Sequence, residues 1–268
     1  MTISIATMTA RESRGPIVGL AAQLTLLTAL AATTGLSAAG WLAGTAYAVV
    51  LTVALGAGLR RTGMRALGPA NAVTLGRATL VAGVTAQAVT SFATPVPLPL
   101  LVTLIGVALA LDGVDGQVAR RTNSTSALGA RFDMEVDAFL ILVMSVFVAG
   151  TFGWWTIAIG AFRYVFVAAS WALPWMNAAL PPKFSRKVVA AVQGVVLVVA
   201  TASLLPDALA FAAVGGALIS LVWSFGRDVI WLWETEQQRR FAQARADVVA
   251  RREVTRPRRH PQPAPVGA

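Results

Sequence analysis

The sequence predicts an all-α fold, a polytopic membrane helical bundle, and three observations predict it. Of 268 residues, 56% are apolar and only 13% are charged, against roughly a quarter charged in soluble domains. Mean hydropathy is +0.69. The apolar residues gather into eight stretches, near 16–36, 41–59, 75–94, 97–118, 131–151, 155–175, 188–205 and 208–231, each long enough, or nearly so, to cross a hydrocarbon core of roughly 30 Å. Gly40, Pro95, Pro97, Gly153, Pro181, Pro182 and Pro206 fall in the gaps, where helix breakers belong. The first stretch lies too deep in the chain, and lacks a small-residue cleavage pattern, to read as a removable signal peptide.

Basic residues set the expected orientation. Arg11 and Arg14 precede the first stretch; Arg60, Arg61 and Arg65 follow the second; Arg120, Arg121 and Arg131 follow the fourth; Lys183, Arg186 and Lys187 follow the sixth; eight Arg follow Glu234. The alternate gaps, near 37–40, 95–96, 152–154 and 206–207, hold neither Lys nor Arg. This positive-inside pattern predicts an integral protein of the cell (plasma) membrane with both termini cytoplasmic. The net charge of +10 then reports topology and attraction to anionic lipids rather than nucleic acid. Eight Trp residues, mostly near stretch ends, read as an interfacial aromatic belt.

The composition also excludes chemistries. With no Cys there is no disulfide, thiolate metal site or Cys nucleophile, and the one His, His260, sits in a Pro/Arg-rich tail, so no His-based metal site or Ser-His-Asp triad can be assembled. Carboxylates, hydroxyls and basic groups must carry whatever reaction there is.

The acids are concentrated. Of twelve Asp and Glu, five (Asp112, Asp115, Asp133, Glu135 and Asp137) fall within 26 positions joining the fourth and fifth stretches. Four uncompensated Asp at membrane depth would cost on the order of 10 kcal/mol, and such residues mark function by default. Asp112 and Asp115 are spaced i, i+3 and Asp133 and Asp137 i, i+4, so each pair shares a helical face. The short polar connection 121–130 makes the two helices antiparallel neighbours with the pairs converging at the cytoplasmic end. Converging carboxylates repel unless a cation sits between them, and hard oxygen ligands suit Mg²⁺, Mn²⁺ or Ca²⁺. Gly113, Gly116 and Ala119 leave the same surface without bulk, and Arg120 offers a phosphate-binding fork. Glu135 lies off the shared face and is expected to play a structural or interfacial part.

The run Asp112-Gly113-Val114-Asp115-Gly116-Gln117-Val118-Ala119-Arg120, eight residues, Gly129, three residues, Asp133, three residues, Asp137 resembles the signature of the CDP-alcohol phosphatidyltransferases, matching all eight of its specified positions. The resemblance implies a six-helix catalytic core over 66–232, with 1–65 as an extension of about two transmembrane helices and 233–268 as a basic cytoplasmic tail, disordered at its end. It implies that Asp112, Asp115, Asp133 and Asp137 bind Mg²⁺ or Mn²⁺, two ions in all, and that Asp137 is also the general base. It further implies that Gly116, Ala119 and Arg120 contact the nucleotide, and that the chain is a homodimer. The implied reaction is attack of an alcohol on a CDP-linked lipid such as CDP-diacylglycerol, releasing CMP.

Gly68-Pro69-Ala70-Asn71-Ala72-Val73-Thr74-Leu75-Gly76-Arg77 is similar to the Pro-Asn…Thr…Arg segment that leads into the same core, which puts Asn71, Thr74 and Arg77 beside the nucleotide or metal; the plainer reading is a capped juxtamembrane helix. Arg163, inside the sixth stretch, and Arg186 and Lys187 are expected to bind the acceptor, tilting it toward a phosphorylated polyol. Glycerol phosphate, inositol phosphate, inositol and serine all fit the shared motif. Arg227 and Asp228, near the end of the last stretch, are expected at the interface. Two other classes also gather membrane carboxylates: Mg²⁺-dependent intramembrane prenyltransferases, which use two Asp-rich motifs where this chain has one, and cation transporters, which need an acidic path continuing across the membrane.

Overall fold

A computed structural model describes residues 14–64, 67–122 and 126–254; the side chains of Arg14, Asp115, Ala119, Arg120 and residues 249–254 lie outside that description, as does the tail end, 255–268. Eight α-helices make up the described chain: α1 (Arg14–Thr34), α2 (Ala38–Thr62), α3 (Pro69–Thr90), α4 (Leu98–Arg121), α5 (Ala127–Phe152), α6 (Ile157–Ala172), α7 (Phe184–Thr201) and α8 (Asp207–Val254). There is no strand among the described residues, and all eight helices are long and apolar enough to span a membrane.

Local chemistry sets the helix ends. Ser37 caps α2, its Oγ accepting from Gly40 N at 3.0 Å, and Ser126 caps α5 the same way from Gly129 N at 3.0 Å. Pro69 opens α3 at its first turn, where a missing N–H costs nothing. Gly63 at φ 67° closes α2 in the left-handed conformation. Three helices begin four or more residues before the apolar stretches: α3 at Pro69 rather than 75, α5 at Ala127 rather than 131, α7 at Phe184 rather than 188. Hydropathy marks only the apolar length, whereas Pro69 at the first turn of α3 and the Ser126 cap of α5 set where those helices begin. At the last helix no break separates core from tail. α8 is a single helix of 48 residues, about 72 Å long at 1.5 Å per residue, so its final turns project beyond any bilayer core.

α3 is the centre of the bundle, packed on α1, α2, α4 and α5. Its Ala78, Val81, Ala82, Val84, Ala86 and Ala88 are buried, small side chains that let four neighbours approach. Around this core the outward faces stay apolar, with Val18, Leu42, Val50, Val165 and Ile219 exposed, as a lipid-facing surface requires.

α5 and α6 meet at Gly160. A Cβ there would lie 2.2 Å from Leu142 Cα and 2.8 Å from Leu142 N, backbone atoms that cannot rotate away. Gly160→Ala is therefore expected to destabilise the detergent-solubilised protein by about 3 kcal/mol or more, read as a lowered thermal unfolding midpoint. Gly216→Ala, on α8 with nothing within 4 Å, should leave the midpoint unchanged or slightly raised.

Candidate active site

The three described aspartates of the signature meet at one end of the bundle. Asp112 lies in the last turns of α4, Asp133 and Asp137 in the first turns of α5, and their carboxylates each offer an oxygen within 4.8 Å of the others. The short α4–α5 connection and the Ser126 cap place the two helices so that an i, i+4 pair on one faces the acid on the other. Asp115, on the same helix as Asp112 and three residues on, has its side chain outside the described residues, as do Ala119 and Arg120. Gly116 follows Asp112 by one turn and is half-buried, and nothing stands within 4 Å of where a Gly113 Cβ would be; the α4 surface beside the acids is open to an approaching ligand.

Into this cluster α3 inserts Arg77, which is fully buried. Its Nη1 donates to Asp112 Oδ1, and its Nη2 donates to Asp133 Oδ1 at 2.5 Å and to the Asp133 carbonyl at 3.2 Å. The same Nη2 lies 3.0 Å from Asp137 Oδ1. One guanidinium thus bridges three carboxylates from two helices. The carboxylate side chains remain 44%, 37% and 44% exposed for Asp112, Asp133 and Asp137, so the acids face outward while their counter-ion is sealed behind them. The three acids and one guanidinium leave a formal charge of −2 in the described cluster, which attracts a divalent cation.

The donor set fits such an ion. It consists of hard carboxylate oxygens, it is open on one side, and one oxygen from each acid lies within 4.8 Å of the others.

Asn71 and Thr74, about two turns and one turn before Arg77, are both buried. Asn71 explains Gly129: a Cβ at Gly129 would lie 2.4 Å from Asn71 Oδ1, so glycine lets the start of α3 lie on the first turn of α5 and brings Arg77 over the acids. Thr74 Oγ1 donates to the Ala70 carbonyl at 3.2 Å.

Two of the three expected acceptor cations, Arg163 and Arg186, are engaged with acids. Arg163 on α6 donates to Glu135 on α5, and to Met134 Sδ at 3.0 Å, which gives Glu135 the structural part expected of it. Arg186 on α7 donates to the Pro181 carbonyl and lies 3.7 Å from Asp228 on α8. Lys187 is exposed. Asp228 is 6% exposed; Arg186 and Arg227, each 3.7 Å away, compensate its charge inside the α7–α8 contact. Arg227 also donates to Ser185 at 3.1 Å and lies over the Trp223 ring at 4.8 Å. Sequence reasoning passed over this second cluster; the signal was an adjacent Arg-Asp pair at the end of an apolar run, where a charge survives only with a partner.

Comparison with known proteins agrees with this geometry. A family model described as CDP-alcohol phosphatidyltransferase matches residues 67–225, from the start of α3 into α8, and contains every residue of both clusters except Arg227 and Asp228. The human ethanolaminephosphotransferase 1 is 48% identical over 52 residues, 18% of this chain and 13% of that protein. The chain thus matches only a small part of that relative's length. No solved structure matches the chain. The match supports neither the prenyltransferase nor the transporter alternative: with its Asp signature assembled at one end of a helical bundle and inside the matched segment, the chain belongs to the CDP-alcohol phosphatidyltransferase family, membrane enzymes that transfer phospho-alcohol groups from CDP-alcohols in phospholipid synthesis.

Proposed function

We propose that this transferase moves a phosphatidyl group from a CDP-linked lipid such as CDP-diacylglycerol to the hydroxyl of an alcohol, releasing CMP. The observation that carries the reading is the convergence of Asp112, Asp133 and Asp137 within 4.8 Å on the open side of a buried arginine. Asp112, Asp115, Asp133 and Asp137 would hold Mg²⁺ or Mn²⁺, two ions by family resemblance. An ion held by these carboxylates would supply positive charge against the diphosphate and the departing phosphate.

The protein's own groups do the rest. Asp137 accepts the proton of the acceptor hydroxyl as its oxygen attacks phosphorus. Gly116 and Ala119 admit the cytidine against the α4 backbone, and Arg120 contacts the nucleotide. Asn71 and Thr74 brace the start of α3 beside it, and Arg77 orients the carboxylates. For the acceptor, Arg186 and Arg227 flank a single carboxylate, Asp228, a net positive cluster that with Arg163 and Lys187 favours a phosphorylated polyol over a neutral alcohol. In this reading 66–232 is the catalytic core, 1–65 the extension and 233–268 the basic tail. The active site faces the cytoplasm of a plasma-membrane protein that pairs as a homodimer.

Purified protein supplied with radiolabelled CDP-diacylglycerol, Mg²⁺ and a panel of glycerol phosphate, inositol phosphate, inositol and serine should release CMP with one acceptor far above the others, the lipid product naming it. A phosphorylated acceptor is the expected winner. Folded protein that releases no CMP with any acceptor would remove the proposal.

A further inference from the structure

The helix pair α1–α2 lies outside the family match, yet it is docked on the catalytic core at close range. Gly40, Gly44 and Ala48 recur one turn apart along α2 and form a seam against α3. A Cβ on Gly40 would lie 2.1 Å from Thr90 Oγ1 and 2.5 Å from the Ala86 carbonyl oxygen, and one on Gly44 would lie 3.2 Å from the Ala82 carbonyl oxygen. Such small-residue seams let membrane helices pack backbone to backbone. Polar ties lock the same joint: Ser37 N donates to Thr90 Oγ1 at 3.2 Å, and Gln87 Nε2 to Thr34 Oγ1 at 2.8 Å.

The seam fixes the position of Tyr47, next to Ala48. Its ring stacks on Phe139 of α5, centroids 4.6 Å apart at 18°, two residues beyond Asp137. The Tyr47 hydroxyl is buried and has no hydrogen-bond partner among the described residues, and it lies within electrostatic reach of the Arg77 guanidinium. A buried hydroxyl without a partner is costly, and here the guanidinium within its electrostatic reach is engaged on the three carboxylates.

We propose that Tyr47, delivered by the N-terminal helix pair, is a positioning residue for the acidic centre: its hydroxyl oxygen accepts the Arg77 guanidinium when a divalent cation claims the carboxylates of Asp112, Asp133 and Asp137. The inference rests on reading those carboxylates as metal ligands. Arg77 holds the same oxygens that a cation would take, and two cations sharing them repel strongly at that depth. Arg77 cannot retreat into lipid, so its displaced N–H groups need an acceptor already in place. The unpaired Tyr47 oxygen supplies one, and the resting state then retains the orphaned hydroxyl. The helix pair thereby becomes part of the catalytic unit rather than an appendage.

The test uses full-length protein in detergent and Mn²⁺ as probe, with free Mn²⁺ followed by electron paramagnetic resonance. Tyr47→Phe keeps the ring and its stack on Phe139 and removes only the hydroxyl. The expected signs are opposed: in chelator the variant unfolds at the wild-type temperature or slightly above it, while its Mn²⁺ affinity falls three- to tenfold. A purely structural tyrosine would shift the unfolding temperature and leave the affinity alone. Protection by Mn²⁺ against thermal unfolding gives a second reading of the same affinity. Wild-type Mn²⁺ affinity in Tyr47→Phe, beside lost affinity in Asp112→Asn, overturns the inference alone. No saturable Mn²⁺ binding by the wild type overturns the metal reading and the inference with it.

Discussion

Asp137→Asn is expected to lower kcat by two to four powers of ten while leaving affinity for the CDP-linked lipid within about threefold. The carboxylate and carboxamide are nearly the same size, so the packing at the start of α5 survives; what disappears is the proton acceptor, whose removal costs about 10²–10⁴ in general-base reactions. Asp137 suits the role because its carboxylate is 44% exposed, so an acceptor hydroxyl can reach it, while Arg77 Nη2 at 3.0 Å keeps it oriented. Asp137 is also a proposed metal ligand, so the comparison is made at saturating Mg²⁺ by CMP release, with lipid affinity measured separately on the metal-loaded protein. Asp207→Asn, in the first turn of α8, should keep wild-type kcat. A normal kcat in Asp137→Asn removes this residue from the role of base and returns the search to Asp133.

The acidic signature was readable because its information is local. Asp112 and Asp115, and Asp133 and Asp137, are spaced by a single turn, and helical geometry alone puts each pair on one face; a short connection then brings the pairs together. The partner of those acids was not readable in the same way. Arg77 reaches Asp112 across 35 positions and Asp133 across 56, and no periodicity links them. The residue was singled out from its leading segment and placed beside the nucleotide or metal, but that its guanidinium is held by three carboxylates could not be read there. Gly129 illustrates the same limit. Its place in the signature was visible, but the reason, Asn71 Oδ1 lying where a Cβ would be, needs two helices in contact. The burial of Asp228 was equally out of reach, because it depends on the approach of Arg186 from α7.

Arg77→Gln should make the protein's stability depend on divalent metal. In the wild type the guanidinium neutralises part of a cluster whose carboxylates stand within 4.8 Å of one another. Each such pair repels by about 3 kcal/mol at an effective dielectric of 20, and removing one partner of a buried ion pair costs about 3–5 kcal/mol. The acids here are 37–44% exposed, and water screens part of that repulsion, so the expected loss in chelator is about 2–3 kcal/mol. Millimolar Mg²⁺ should return most of it, since a ligand at a hundred times its Kd stabilises the folded state by about 2.7 kcal/mol. The variant should also bind Mn²⁺ more tightly than the wild type, because no resident cation competes for the oxygens. Arg77→Lys keeps one charge but loses the fork that spans two helices, and should fall between the two. Thermal unfolding with chelator and with Mg²⁺ decides the matter: an equal loss under both conditions would mean that Arg77 holds the helices together by packing alone, and its charge would then have no part in balancing the acids that the metal is expected to claim.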